Sequence, residues 1–198
     1  MLFGVLDDRS RLACHLQWYL SESAENIAHG LSQAFLKRGL PRAAMSDNGT
    51  AMTAVEITEG LARLGILHEK TLPHSPYFNG KVETFWAIVE GRLMAMLEGV
   101  ADLTLAMLNE ATQAWVEPDY NRKPHSELDE APLERLLKGP SVMRPCPDSA
   151  ALRIAFTRPS NAPSARATAP SPSTAAASRC RTNIAISLAS MSAMQPGT

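Results

Sequence analysis

Hydrophobic and polar positions divide the chain into short apolar runs alternating with amphipathic stretches. "LFGVL" (Leu2 to Leu6) and "RLACHLQWYL" (Arg11 to Leu20) are apolar and strand-like, and the polar "DDRSR" between them predicts a hairpin turn. Ser21 and Ser23 can cap a helix through "AENIAHGLSQAFLKRG", in which Ile27, Leu31 and Phe35 recur at four-residue steps and Gly39 supplies the stop. "RAAMS" predicts a short buried strand that delivers Asp47 at its C-terminal end. Val55 to Leu64 predicts a second helix, and "ILHEKTL" a further strand. A long helix is predicted from about Gly80 to Leu97, with another in "TLAMLNEATQAWVEPDYN". A strand hairpin followed by strands alternating with helices is an α/β pattern, and no internal repeat interrupts it.

The pattern fails near residue 158. From Pro159 to Thr198 there are ten Ala, eight Ser and five Pro, with no Asp, Glu, Lys or aromatic residue. So little apolar surface can be buried there to offset chain entropy that a disordered tail is predicted over 159–198. Such an acid-free Ala/Ser/Pro/Arg segment is also what GC-rich coding DNA yields in the wrong frame: with free codon choice, Ser178 to Ser187 read one base upstream can spell F-E-V-P-N-Q-Y-R-H-L.

Composition narrows the functional classes. The 198 residues are 45% apolar, enough for one ordinary core, and carry a formal charge of −1. All 20 acidic residues lie before the tail, so the globular part is acidic and lacks the basic excess of a dedicated nucleic-acid binder. Cys14, Cys146 and Cys180 are odd in number with no C-x-x-C spacing, which disfavours a disulfide framework or zinc cluster and reads as reduced thiols of a cytoplasmic protein. The opening apolar run is too short for a membrane span or signal segment.

The chemistry-bearing residues are two carboxylates, Asp47 in "SDNGT" and Glu83 in "PYFNGKVETF", with 35 residues between them. On the predicted elements Asp47 ends a strand and Glu83 sits in the first turn of a helix, with Asn79 and Gly80 at its start. Taken bare, these residues fit an Asx-type turn and a helix N-terminal acid as well as a divalent-cation site.

Four segments in order, "GVLDDRSRLACHL", "MSDNGTAM", "LHEKTLPHSPYFNGKVETFW" and "YNRKPHSEL", give the chain a resemblance to the catalytic cores of insertion-sequence transposases and retroviral-type integrases, from about Met1 to Pro140. The resemblance implies a ribonuclease-H-like mixed sheet with flanking helices, an integrase-type core at 1–140, a connector at 141–158 and the tail beyond. It also implies an Asp-Asp-Glu metal triad whose last two members are Asp47 and Glu83, binding Mg²⁺ or Mn²⁺, two ions in the complete site, for phosphoryl transfer on DNA. Implied partners are DNA, as transposon ends and target, and further copies of the chain. Asn79 and Lys81 are placed to meet backbone phosphate, with Arg122, Lys123 and His125 as a second patch.

Two departures from the family pattern set the remaining expectations. Glu90 precedes Arg92 where such helices offer DNA a basic side chain. The family's first triad aspartate lies on the central strand of the sheet, before the strand that "LFGVL" resembles, so a core lacking that strand is expected, with two inner edges unpaired. Asp7 and Asp8 should fall at the opposite sheet edge, roughly 15 Å from Asp47, where they form the turn. Three functions follow from the resemblance: an active transposase core, an inactive truncated and frameshifted copy, and a DNA-binding or partner-binding remnant that regulates a full-length transposase.

Overall fold

The computed structural model describes residues 1–70, 76–140, 143–157 and 183–189, with the backbone alone at 76–79, 183–184 and 187–189. Five strands form one mixed sheet in the order β2-β1-β5-β3-β4: β1 (Leu2–Asp7), β2 (Ala13–Trp18), β3 (Ala43–Ser46), β4 (Leu67–Lys70) and β5 (Asn183–Ala189). β1 is antiparallel to both β2 and β5, whereas β5, β3 and β4 run parallel. Helices α1 (Ala24–Arg38), α2 (Val55–Arg63) and α7 (Ser149–Phe156) cover one face. The other is covered by α3 (Pro76–Ile88), which runs through a π-helical stretch (Val89–Met94) into the short α4 (Ala95–Leu97), and by α5 (Leu105–Trp115), which continues π-helically over Val116–Tyr120. α6 (Pro132–Lys138) completes the set. No helix among the described residues is long and apolar enough to cross a membrane.

Strand alternation feeds two cores. Phe3 and Val5 point to one side, with Leu31, Phe35, Ile57 and Leu152, and Leu2 and Leu6 to the other, with Leu16, Phe85, Val89 and Trp115. Two glycines let elements pack closely, Gly30 bringing α1 onto β1 and Gly60 bringing α2 onto α7. A Cβ on Gly30 would lie 2.5 Å from the Phe3 ring, and one on Gly60 would lie 2.3 Å from the Phe156 ring. The local signals act as expected in α1: the Ser23 side chain accepts from Asn26 N–H, and Gly39 ends the helix at φ 88°. The "DDRSR" turn also forms: the buried Asp7 carboxylate accepts from Ser10 N–H at 2.7 Å and from its hydroxyl at 2.5 Å.

The sheet corrects the expectation of an empty central place and a wholly disordered tail. β5 fills that place, with Leu2↔Ala189 to Asp7↔Ile184 on one side and Ala43↔Asn183 to Ser46↔Ile186 on the other. Averaged composition concealed "NIAISLA", an uncharged run suited to a strand buried on both faces. Residues 158–182 and 190–198 lie outside the described residues. Two further differences concern helices. α3 begins at Pro76, four residues ahead of expectation, because proline is favoured in a helix's first turn; Glu83 therefore lies beyond the first turn, and Asn79 and Gly80 lie inside the helix. α7 arises within the expected connector, started by an Asp148 side chain that accepts from Ala151 N–H at 2.7 Å.

The edge of β2 is closed by side-chain amides. Asn109 accepts from Trp18 N–H at 2.7 Å and donates to Trp18 C=O at 3.2 Å. Asn121 accepts from Ala13 N–H at 3.0 Å and donates to its C=O at 3.1 Å. Gln113 donates to Leu16 C=O at 2.5 Å. Each pair of bonds stands in for a neighbouring strand.

Also on β2, His15 is 4% exposed and burial, assisted by Lys37, lowers its pKa to about 4. The unfolded chain, with an ordinary histidine, takes up a proton at higher pH than the folded one. The stabilisation is therefore complete above about pH 6.5 and is lost as pH falls towards 4, by up to about 3 kcal/mol. Urea midpoints at pH 7 and pH 4.5 are expected to show that loss, and His15→Gln to shrink it; an equal drop in the variant would assign it elsewhere.

Candidate acidic site at the sheet edge

Because β1 alone runs opposite to the other strands, the C-terminal ends of β2, β5, β3 and β4 share one edge. In open α/β sheets this is the edge at which ligands are bound. Asp47 is the first residue beyond β3 and is exposed, while its neighbour Ser46 is buried with its hydroxyl 2.9 Å from His68 Nε2. Asp47 Oδ1 accepts from Gly49 N–H at 3.0 Å, the Asx turn that its sequence allows.

A second acid at this edge was not evident in the sequence. Glu22 lies in the loop from β2 to α1, and its Oε1 is 3.7 Å from where a Cβ on Gly49 would sit, a point 3.0 Å from Asp47 Oδ1. The two carboxylates thus flank one glycine. The signal that could have found Glu22 is direction: once β2 and β3 are known to run the same way, the loops that follow them leave from one edge.

Glu83 is on an exposed part of α3. Lys81, two residues earlier, donates to Asp8 Oδ1 at 2.7 Å. Asp8 follows the end of β1 at the far edge: register places Asp7 level with Ala44, and standard strand spacings put Asp8 about 16 Å from Asp47. This agrees with the expected opposite-edge position of the aspartate pair. Among the described residues, no three His, Cys, Asp or Glu side chains are gathered closely enough to hold a metal ion. β5, beside Asp47, reads Asn-Ile-Ala-Ile-Ser-Leu-Ala and has no carboxylate.

The other singled-out residues separate by environment. Arg122 and Lys123 are exposed, and Lys123 pairs with Asp119, which also receives Arg92. His125 is buried: its Nδ1 accepts from Glu127 N–H at 3.3 Å, it stands edge-on to Tyr120, and burial lowers its pKa. Its enclosed ring organises the 125–130 turn. The side chain of Asn79 lies outside the described residues.

No protein-family model and no curated protein matches the chain. Solved structures do. The catalytic core domain of BIV integrase matches at 26% identity and TM-score 0.55, over 69% of this chain and 85% of that one. The HTLV-2 integrase catalytic core domain, described in complex with magnesium in a trimeric form, matches at 21% identity and TM-score 0.52, over 66% and 80%. A chain of the simian T-cell lymphotropic virus intasome in complex with PP2A regulatory subunit B56 gamma matches at 21% identity and TM-score 0.58, over 75% of this chain and 51%, about half, of that one. The mixed five-stranded sheet with flanking helices is the fold of integrase catalytic cores.

Proposed function

We propose that this chain is a DNA-integration core of the transposase kind, that Asp47 and Glu83 are the acids of its site, and that as it stands it engages DNA without transferring strands. The observation that carries the reading is Asp47 itself: it stands at the common C-terminal edge, one residue beyond the strand flanking the central one, in a fold shared with integrase cores. Carboxylate oxygens suit a hard divalent cation such as Mg²⁺, which when bound supplies Lewis acidity and an activated nucleophile. The described residues fit that requirement incompletely, since the central strand brings no acid and three ligands are not gathered. No chemical step is therefore assigned to this chain, and its own residues account for binding alone.

In this reading Lys81 exchanges Asp8 for a DNA phosphate, Asn79 two residues earlier on α3 belongs to the same contact region, and Arg122 and Lys123 contact the backbone from their exposed turn. The acidic character of residues 1–158 keeps such binding modest and dependent on salt. Fluorescence anisotropy with a short duplex at two salt concentrations tests it. The Arg122→Glu/Lys123→Glu double variant is expected to bind about tenfold or more weaker, with the logarithmic salt slope reduced by about 2. Absence of duplex binding by the parent chain, or affinity unmoved by the charge reversal, would remove the DNA-binding reading.

A further inference from the structure

The central strand of the sheet arrives from the far end of the chain. β1 and β3 do not pair with each other; among the described residues, β5 alone joins the β2-β1 half of the sheet to the β3-β4 half. It does so through a continuous ladder on each side, antiparallel to β1 and parallel to β3. The halves are bridged independently by helices: α1 packs on β1, β2 and α2, and α2 packs on β4. What lies between β1 and β3 is thus a slot with two hydrogen-bonding walls, and it accepts an uncharged extended segment of about seven residues. Ile186, 3% exposed, is the side chain that seals its α1 face.

From Thr157, the end of the described α7 region, the chain has 25 residues (158–182) before Asn183. At about 3.3 Å per residue that length can span up to about 80 Å, well beyond the diameter of a domain this size. A connection of that length can deliver the strand to the slot of its own chain or to that of a neighbouring copy.

We propose that this slot is an interaction site whose second occupant is strand 183–189 of another copy, so that two chains exchange central strands and each completes the other's sheet. Closing the β1–β5 ladder joins residues at opposite ends of the chain. Such non-local pairing forms late, and a folding chain exposes the slot to its neighbours meanwhile. In the closed monomer the tethered strand competes at an effective concentration on the order of mM, so dilute chains keep their own strand and crowded ones exchange. Once made, the exchanged pair is slow to revert, because a central strand leaves only when both ladders open.

Complementation between two full-length variants tests this. In Ile186→Asp the strand is spoiled and the slot is intact; in Ala44→Glu the strand is intact and the slot wall, at a fully buried position of β3, is spoiled. Each alone is expected to be unfolded by circular dichroism. Co-refolded at about equal and high concentration, they are expected to recover up to half the folded signal in a species with the mass of two chains. A mixture as unfolded as its separate parts would overturn exchange between copies. Either variant folding normally alone would overturn the slot itself. Parent chains refolded at high concentration should yield a dimer that refolding at low concentration does not, and equal monomer yields at both would count against the proposal.

Discussion

Ile186→Asp is expected to unfold the domain. Ile186 is 3% exposed on the central strand, level with Val5 on β1 and Ser46 on β3. Losing a buried aliphatic side chain of this size costs about 2–5 kcal/mol, and an enclosed carboxyl group with no partner adds several more. The total is comparable with the whole stability of an ordinary domain, about 5–15 kcal/mol. Far-UV circular dichroism and a urea titration give the readout, with Leu20→Asp as control at a site 88% exposed. A variant whose urea midpoint matches the parent's would mean that residues 183–189 do not hold the centre of the sheet.

The second large effect concerns catalysis. Supplied with Mg²⁺ or Mn²⁺ and duplex ends, the chain is expected to show no nicking or joining above background. Stabilisation of charge at the reacting phosphate is commonly the largest catalytic contribution, and even one oxyanion donor is worth about 10²–10³ in rate, so a missing acid between the reacting oxygens should cost at least as much. On the proposed reading, the register gives a position for such an acid. Ile186 pairs with Ser46, so position 187 follows Ile186 as Asp47 follows Ser46. Ser187→Asp is expected to confer divalent-cation binding, seen by calorimetry, that Asp47→Asn removes. Metal-dependent strand transfer by the unaltered chain, lost on Glu83→Gln, would show instead that another carboxylate completes the site.

What could be read from sequence depended on whether a signal was local. α1 was legible because Ser23, the four-residue apolar step and Gly39 all act within one helix, and the Asp7–Ser10 turn because its bonds join near neighbours. Asp47 could be placed at a strand end for the same reason. β5 was not legible, because an uncharged "NIAISLA" becomes a strand only when two distant edges are waiting for it, and the surrounding Ala, Ser and Pro mask it. α7 carried a cap, Asp148, and apolar Leu152, Ala155 and Phe156 at helical spacing, but in too short a stretch to stand out. Glu22 has no motif, and its place beside Asp47 is a product of strand direction.

The amides of Asn109, Gln113 and Asn121 bear on how the molecule can aggregate. At one end of the strand order they occupy donors and acceptors that an incoming strand would need, and the opposite end is β4. A sheet that can lengthen on one side only has no repeat to propagate: two copies meeting edge to edge through β4 would terminate each other, whereas a fibre needs two complementary edges on every unit. Polar side chains placed on one strand edge thus block growth of the sheet by edge-to-edge pairing, even though the β4 edge is free to pair.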